Sequence, residues 1–357
     1  KINYRFTQKD RLYLSGYFGI DVFDFVNGKK SLNFKVPWGN ATGTLRWNHV
    51  FNKRLFGNTT LVFNNYNFEF NAAQNNFQLK LASGIRDYSF KQDFDLYPFT
   101  GHKAKFGGTY TYHKFTPSVV TGRQDTIEFK PKNAQLKFAH EAAVYFQDDW
   151  EVNEKLKINM GLRYSWFQQI GPYNIYQTYP NINRIDTLSF AAGKKIKSYG
   201  GLEPRITARY ALNDETSVKA SVTRNLQYIH LVSNSGTSLP TDLWVPSTYQ
   251  VKPQISWLYA AGLFKNFKDN TYETSLEVYY KSMENQIEYE KGYIPNTLED
   301  TENYFTFGKG WSYGAELFFN KTKGRLTGWV GYTLSWTWRQ FANLNDGDKF
   351  PAKYDRR

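Results

Sequence analysis

Thirteen stretches of alternating apolar and polar residues run along the chain and constrain its fold more than any other feature. In the clearest of them, every second residue from Leu156 to Trp166 is apolar, and the residues between are Lys, Asn, Gly, Arg and Ser. A period of two is that of a β-strand, whose side chains point alternately to the two faces of a sheet. Strands of about ten residues with one apolar and one polar face are typical of membrane-spanning β-barrels, with lipid outside and a polar lumen inside.

This alternation predicts an all-β fold, a segment of an antiparallel transmembrane β-barrel. The predicted strands are 10–25, 40–51, 58–69, 76–92, 102–115, 134–150, 156–168, 199–211, 217–229, 254–266, 271–288, 306–320 and 326–341. Their number is odd, whereas single-chain bacterial barrels close with an even number of strands. We therefore expect further strands outside this chain.

The links between strands fall into two classes that alternate along the chain. Short polar links rich in Asn, Asp, Lys and Gly occur at 52–54, 153–154, 213–215, 268–270 and 321–324, and 93–100 belongs with them by position. The longer links include 169–199 and 229–253. Short turns on one rim and long loops on the other are typical of outer-membrane barrels, in which the turns are periplasmic and the loops extracellular. We expect ligand binding on the long-loop rim.

Composition agrees with this location and excludes several classes of chemistry. The 27 Tyr, 29 Phe and 10 Trp are enough for aromatic girdles at two membrane interfaces. The chain has no cysteine, which excludes disulfides and thiolate chemistry. The net charge of +13 is scattered along the strands instead of forming a basic block, so we expect no nucleic-acid partner. No phosphate-binding or dinucleotide-binding motif occurs, and we expect no cofactor.

Several motifs resemble the barrel domain of TonB-dependent outer-membrane receptors. Residues 145–150 (YFQDDW), followed after a short turn by 156–164 (LKINMGLRY), are similar to a strand end, turn and strand of that family. The stretches 203–210 and 312–317 are also similar to it. Residues 239–246 (LPTDLWVP), with Lys252-Pro253-Gln254, resemble receptors of Bacteroidota-type bacteria in particular.

The resemblance implies a 22-stranded barrel with an N-terminal plug, which imports a scarce solute with energy from TonB, ExbB and ExbD. Residues 1–357 are then part of a single barrel domain. We expect the signal peptide, the plug, the TonB-contacting segment and the terminal strands to lie outside this chain. The implied partners are outer-membrane lipid and lipopolysaccharide, and a SusD-like surface lipoprotein. The implied activity is transport, not an enzymatic reaction.

Within this framework, aromatic residues on the long loops are the candidate solute contacts, because flat rings with polar edges suit sugars, siderophore catechols and peptides. With the histidine beside them they are Tyr173, Tyr176, Tyr179, Tyr228, His230, Trp244 and Tyr249. The alternative for the aromatic residues is packing between loops or anchoring at the lipid headgroups. The charged residues expected in the lumen, where they guide an anionic solute or pair with a plug, are Arg163, Arg205, Arg209, Lys219, Arg224, Glu273 and Glu277.

No catalytic or metal-binding constellation is predicted. The five histidines have no metal-ligand spacing, and the pairs Asp148-Asp149 and Glu273/Glu277 are better explained as a turn-proximal pair and a solvated strand face. Two other functions remain open at this point: a passive porin-like barrel, and a secreted all-β adhesin or lectin. The solute itself is not predicted, because selectivity depends on loops and a plug and not on the barrel architecture.

Overall fold

The structure, a computed structural model, is built almost entirely of antiparallel β-strands. It describes residues 1–26, 33–125, 127–129, 135–179, 184–232, 243–291 and 301–355. No helix in these ranges is long and apolar enough to cross a membrane. Short 3-10 turns occur at Thr301–Tyr304 and Asn345–Gly347.

Twenty strands occur in these ranges. In chain order they are β1 (Ile2–Arg5), β2 (Asp10–Val26), β3 (Asn33–Val50), β4 (Leu55–Gln74), β5 (Phe77–Leu96), β6 (His102–Gln124), β7 (Ile127–Phe129), β8 (Lys137–Glu151), β9 (Leu156–Ile170), β10 (Tyr173–Tyr179), β11 (Arg184–Phe190), β12 (Lys195–Ala211), β13 (Thr216–Gln227), β14 (Ile229–Val232), β15 (Leu243–Pro246), β16 (Gln254–Phe267), β17 (Tyr272–Tyr289), β18 (Phe305–Lys321), β19 (Gly328–Phe341) and β20 (Phe350–Pro351).

The sheet is a meander in which strands follow one another in chain order. Its order is β1-β2-β3-β4-β5-β6-β8-β9-β12-β13-β16-β17-β18-β19-β20, with β7 paired to β6. Every pairing is antiparallel. Two separate hairpins, β10–β11 and β14–β15, lie within the long links 171–194 and 228–253.

The thirteen predicted strands are confirmed as the thirteen long strands of this sheet, each of at least 12 residues. Several extend further than predicted, most of all β3, β4 and β6, whose main extensions run toward the long-loop rim. About 9–11 residues suffice to cross a bilayer, so the 20-residue β4 projects well beyond it. The apolar half of the alternation fades where the strand leaves lipid, and the sequence pattern therefore underestimates strand length.

The link between β4 and β5 departs from the predicted alternation of short and long links. It is a two-residue turn, Asn75-Asn76, on the rim where long loops were expected. Asn75 has φ of 51°, a left-handed conformation that Asn tolerates better than most residues. The longer strand β4 leaves only two residues for the loop between β4 and β5.

The two faces of the sheet differ in chemistry. One face, called the outer face below, exposes large apolar side chains, among them Leu162, Ile206, Leu276 and Val330, each close to half exposed or more. In water this would be unfavourable by about 25 cal/mol per Å² of apolar surface, whereas contact with lipid tails removes the cost. The opposite, inner face carries polar side chains and the inward-folded parts of the long loops.

Candidate functional site

A cluster of apolar side chains lies on the inner face near the long-loop rim. Its buried members are Phe115, Ala139 and Phe167, from β6, β8 and β9, and Tyr228, the residue after β13. The rings of Phe167 and Tyr228 stack with centroids 5.1 Å apart and an angle of 11° between their planes. The Tyr228 hydroxyl lies 2.9 Å from Oγ of Ser165, so its polar end has a hydrogen-bond partner.

The segment after β15, residues 247–251, is bound to this same face. The Tyr228 carbonyl accepts the Ser247 N–H at 2.7 Å, and the Tyr199 hydroxyl donates to the Thr248 carbonyl at 2.7 Å. Oε1 of Gln169 accepts the Tyr249 N–H at 2.9 Å. Backbone groups that leave the sheet are thus satisfied by side chains of β9 and β12, which is why the loop can be buried.

A buried ion pair joins β8 to another long loop, which also binds the segment 247–251. Nζ of Lys137 lies 2.5 Å from Oε1 of Glu302, and the Thr248 hydroxyl donates to Oε2 of Glu302 at 2.6 Å. The Lys137 and Glu302 side chains are only 7% and 1% exposed. Charges so far from water require close partners, and here each has one.

The hairpin β14–β15, called the inward hairpin below, packs over the inner face. The register pairs His230 with Val245 and Val232 with Leu243, and these four residues are buried. Three of them form a cluster with Val251 and Phe305, and β15 also contacts β5 and β6. The opposite side of the hairpin presents Leu231 and Trp244, which are more accessible.

His230 is nearly inaccessible at 1% exposure. Its Nε2 lies 3.1 Å from Oγ of Ser247, and Nδ1 has no hydrogen-bond partner among the described residues. Burial lowers the pKa of His230 to about 4, so the ring is neutral at physiological pH. In this arrangement His230 packs the inward hairpin and does not face open solvent.

The other predicted aromatic contacts differ in accessibility. Tyr173 is buried, with its ring 6.5 Å from that of Tyr249, which is partly exposed. Tyr176 is 45% exposed and Trp244 partly exposed. Tyr179 pairs through its backbone at the end of β10, but its side chain lies outside the described part of the structure.

Three of the predicted lumen cations lie on the inner face and contact neighbouring strands. Nε of Arg163 is 3.5 Å from Oε1 of Glu203. Arg205 donates to Oδ1 of Asn225 at 3.1 Å, and Arg209 donates to Oγ of Ser217 at 3.4 Å.

The remaining predicted lumen residues lie in the second half of the sheet. The Lys219 ammonium is 4.0 Å from the centroid of the Phe264 ring, a close cation–π contact. Glu273 accepts a hydrogen bond from Nδ2 of Asn320 at 2.9 Å. Glu277 lies opposite Gly262, and a Cβ at Gly262 would come within 2.8 Å of Glu277 Cγ.

Arg224 is placed differently from the prediction. The register puts it opposite Trp257, in line with Val218 and Val222 of the outer face and out of phase with Lys219. Its guanidinium carbon lies 5.9 Å from the centroid of the Trp257 ring, and Nη1 donates to the Leu202 carbonyl at 2.5 Å. An even-numbered residue of β13 cannot share a face with odd-numbered Lys219, so charge alone misassigned it.

Sequence reasoning missed an aromatic ladder on β2, β3 and β4. Phe34 stacks on Phe25 at 4.7 Å and on Phe23 at 5.9 Å, and lies 6.3 Å from Phe70. Phe23 and Phe25 are out of phase with the outer-face residues of β2, so the ladder lies on the inner face at the long-loop rim. The available signal was the pair of aromatic residues Phe23 and Phe25 at alternate positions near the end of the predicted strand.

His113 contacts two carboxylates that its position in the sequence did not indicate. On the inner face, its Nδ1 lies 2.8 Å from Asp87 and its Nε2 3.5 Å from Glu141. These contacts tie β5, β6 and β8 together. The described residues contain no group of three or more His, Cys, Asp or Glu side chains arranged to hold a metal ion.

Comparison with known proteins identifies the type of sheet. A family profile described as TonB dependent receptor-like, beta-barrel, matches residues 2–355. No curated protein matches the sequence.

Solved structures with a similar fold are outer-membrane receptors. The ferric yersiniabactin uptake receptor FyuA from Yersinia pestis superposes with a TM-score of 0.64 at 11% identity, over 94% of this chain and 50% of that one. The siderophore receptor PiuA from Acinetobacter baumannii gives 0.60 at 11% identity, over 98% and 57%. The pyoverdine receptor FpvA from Pseudomonas aeruginosa gives 0.57 at 16% identity, over 96% and 56%. The chain spans between 50% and 64% of the length of such receptors.

These comparisons confirm the predicted fold class, receptor class and outer-membrane location. The profile covers nearly every residue, and the antiparallel sheet with one apolar face matches the sheets of the solved receptors. Members of this family work with TonB, and they are receptors and transporters by class. The chain therefore belongs to the TonB-dependent receptor family, within its β-barrel domain.

Proposed function

We propose that the intact protein is an active outer-membrane importer that captures a scarce solute beneath its long loops. The observation that carries this proposal is the inward fold of residues 228–232 and 243–251, which lie on the inner face and are bound there by buried polar contacts. A passive pore needs an open lumen, whereas this loop occupies the inner face. The family assignment likewise favours a receptor over a porin or an adhesin.

The accessible aromatic residues are the proposed solute contacts. Tyr176, Trp244 and Tyr249 expose ring surface near the long-loop rim, and the ladder around Phe34 adds further flat surface. Rings of this kind stack on planar or weakly polar groups of a ligand. Tyr173, Tyr228 and His230 are buried and are proposed to shape the surface from behind.

The solute class that fits best is a siderophore or another metal chelate. The similar structures include receptors for ferric catecholate, alcaligin, yersiniabactin and pyoverdine, and a copper transporter. Catechol and related groups are planar and aromatic, which suits the exposed rings. Inner-face Arg205, Arg209 and Lys219 favour a solute with net negative charge.

The proposed assembly is larger than this chain. Residues 1–357 would be part of one barrel domain of 22 strands, whose plug, signal peptide and terminal strands lie elsewhere in the protein. Energy would come from TonB, ExbB and ExbD through a segment outside this chain. A SusD-like surface lipoprotein is a proposed partner at the long-loop rim, and lipid with lipopolysaccharide surrounds the barrel.

The test is uptake of a panel of siderophores loaded with radiolabelled iron, by cells that express the intact receptor as their only such importer. Active import predicts uptake of at least one siderophore that stops when a protonophore is added. The double variant Tyr176→Ala/Trp244→Ala is expected to lower the apparent affinity, with Tyr164→Ala on the outer face as control. Uptake that persists with the protonophore, or high conductance of the purified protein in a planar bilayer, would refute active import in favour of a passive pore.

A further inference from the structure

At the short-turn rim, two lysines converge on one tyrosine of the outer face. The ammonium of Lys268 lies 5.6 Å, and that of Lys321 5.9 Å, from the centroid of the Tyr272 ring. Phe267 and Phe319 flank the same ring, with centroids 5.1 and 5.7 Å from it. The result is a basic group of side chains set on an aromatic platform.

The turn geometry holds these side chains in place. Lys268, Asp269 and Asn270 all have φ between 52° and 58°, a left-handed run that neighbouring contacts must maintain. Nζ of Lys323 donates to the Asp269 carbonyl at 2.6 Å, and the Thr322 hydroxyl donates to the Asn270 carbonyl at 2.7 Å. The following turn thus fixes this one and brings a third ammonium beside it.

The positive charge at this place is not neutralised by an ion pair. In the part of the chain that the structure describes, neither Lys268 nor Lys321 lies within 4.0 Å of a carboxylate oxygen. Lys265 lies on the same face, one pleat further into the membrane, opposite Thr274. Lys265, Lys268 and Lys321 together attract an anionic group at the membrane interface.

An apolar groove begins deeper on the same face. Two adjoining depressions of about 550 and 480 Å³ share a lining that includes Ala220, Ala261 and Val278. The larger side chains Tyr259 and Tyr280 border the groove, so the small residues leave a furrow between them. Because this face lies against lipid, the groove accommodates hydrocarbon and not water.

The basic group and the groove are spaced as the two parts of one lipid. Six residues separate Tyr272 from Val278 along β17, a distance of about 20 Å at the strand rise of 3.4 Å. A strand tilt of about 45° reduces this to about 14 Å of depth, close to half of the roughly 30 Å hydrocarbon core. The short-turn rim is the periplasmic side, where phospholipid and not lipopolysaccharide is the neighbouring lipid.

We propose that the outer face of β13, β16, β17 and β18 binds one anionic phospholipid of the periplasmic leaflet. Its phosphate lies between the ammonium groups of Lys268 and Lys321, and an acyl chain lies in the groove lined by Ala220, Ala261 and Val278. The lysines select the charge of the headgroup, and the groove orients the chain. This site is independent of solute import.

The first test is native mass spectrometry of the intact receptor in detergent, titrated with phosphatidylglycerol or with phosphatidylcholine. The wild type is expected to retain one phosphatidylglycerol at least tenfold more tightly than phosphatidylcholine. Lys268→Gln/Lys321→Gln should remove that preference. The control is Lys103→Gln, because Lys103 lies 5.8 Å from the Tyr97 ring on the same rim but on the inner face, away from the groove.

A second variant tests the groove. Ala261→Leu fills it and should weaken retention of both lipids several-fold, whereas Ala41→Leu, on the outer face of β3, should not. Equal retention of the two lipids by the wild type, or unchanged retention in the double lysine variant, would overturn the proposal. If Lys103→Gln lowered lipid retention as much as the double variant, the preference would reflect the general positive charge of the rim. That result would also overturn the proposal.

Discussion

Two hairpins at the long-loop rim show opposite ways for a chain to leave the sheet. The β4–β5 hairpin continues the sheet in register from Leu55↔Leu96 to Gln74↔Phe77 and ends in a two-residue turn. The inward hairpin has strands of only four residues and turns back onto the inner face. Both begin at the same rim, yet one projects outward and the other is buried.

The two hairpins differ in the groups that accept and donate hydrogen bonds to their backbone. In β4–β5 the ladder pairs successive residues up to the turn, so the hairpin needs few side-chain contacts outside itself. The inward hairpin has a ladder of only four pairs, and the segment after it has none and depends on Tyr199, Gln169 and the Lys137–Glu302 pair. We therefore expect side-chain substitutions to release the inward hairpin without affecting the projecting one.

Of the substitutions considered, Glu302→Leu is expected to increase hydrogen exchange of the inward loop the most. It leaves the Lys137 ammonium buried without its carboxylate, and breaking a buried pair in this way costs about 3–5 kcal/mol. Hydrogen exchange of the peptide covering residues 243–251 should accelerate accordingly. Exchange at 70–81, the tip of the β4–β5 hairpin, should stay the same.

The matched control for that change is Lys137→Met/Glu302→Leu, which removes both charges. Replacing a whole buried pair with apolar side chains is often neutral, so protection of 243–251 should largely return. If Glu302→Leu alone left exchange unchanged, the ion pair would not hold the loop.

Acidification is expected to have the next largest effect, through His230. Its pKa is lowered to about 4 by burial, whereas the exposed side chain has a value near 6.5. Below pH about 6.5, His230 is protonated when the hairpin is released but stays neutral when the hairpin is packed. The free energy that favours packing therefore decreases as the pH falls toward 4, by up to roughly 3 kcal/mol. Exchange in 229–232, corrected for intrinsic rate, should increase between pH 7 and pH 5.

The control is His230→Leu, which should abolish this pH dependence. Residues 70–81 of the projecting hairpin contain neither histidine nor carboxylate and serve as an internal reference. An identical pH response in the wild type and in His230→Leu would assign the titration to another group.

A third substitution is designed to destabilise the β4–β5 hairpin, which projects outward, and to leave the inward hairpin unchanged. Asn75→Val places a β-branched residue at φ of 51°, which costs about 1–2 kcal/mol. Exchange at 70–81 should accelerate while 243–251 remains protected, and Asn75→Gly should restore protection. Equal acceleration of both regions would show that the two hairpins are coupled.

Most of the sheet could be predicted from the sequence because lipid imposes a period of two on every crossing. Leu276, Val278 and Tyr280 had to lie on one face whatever the rest of the chain did. The pattern gave no such constraint beyond the bilayer, where β4 and β6 continue in water. Within the bilayer the pattern also has a limit, which Arg224 illustrates. The face on which Arg224 lies follows from the strand register and not from its charge.

The arrangement beneath the loops could not be predicted, because it depends on contacts between residues far apart in the chain. Lys137, the first residue of β8, and Glu302 are separated by 165 positions and meet only when the loop that carries Glu302 folds inward. Tyr228 and His230 were selected as solute contacts because they begin a long loop. Their burial follows from Phe167 and Ser247, which carry no local signal.

The smallest effect is expected from Tyr228→Phe, and it separates the two kinds of contact that hold the inward loop. The ring would still stack on Phe167 at 5.1 Å, but the hydrogen bond to Ser165 would be lost. A hydrogen bond of this kind contributes about 1 kcal/mol, so exchange of the 243–251 peptide should rise only about fivefold. Tyr228→Ala, which also removes the stack, should raise it far more, and Ser165→Ala should match Tyr228→Phe. If Tyr228→Phe equalled Tyr228→Ala, the hydroxyl and not the ring would hold the loop, and the inward hairpin would depend on polar contacts alone.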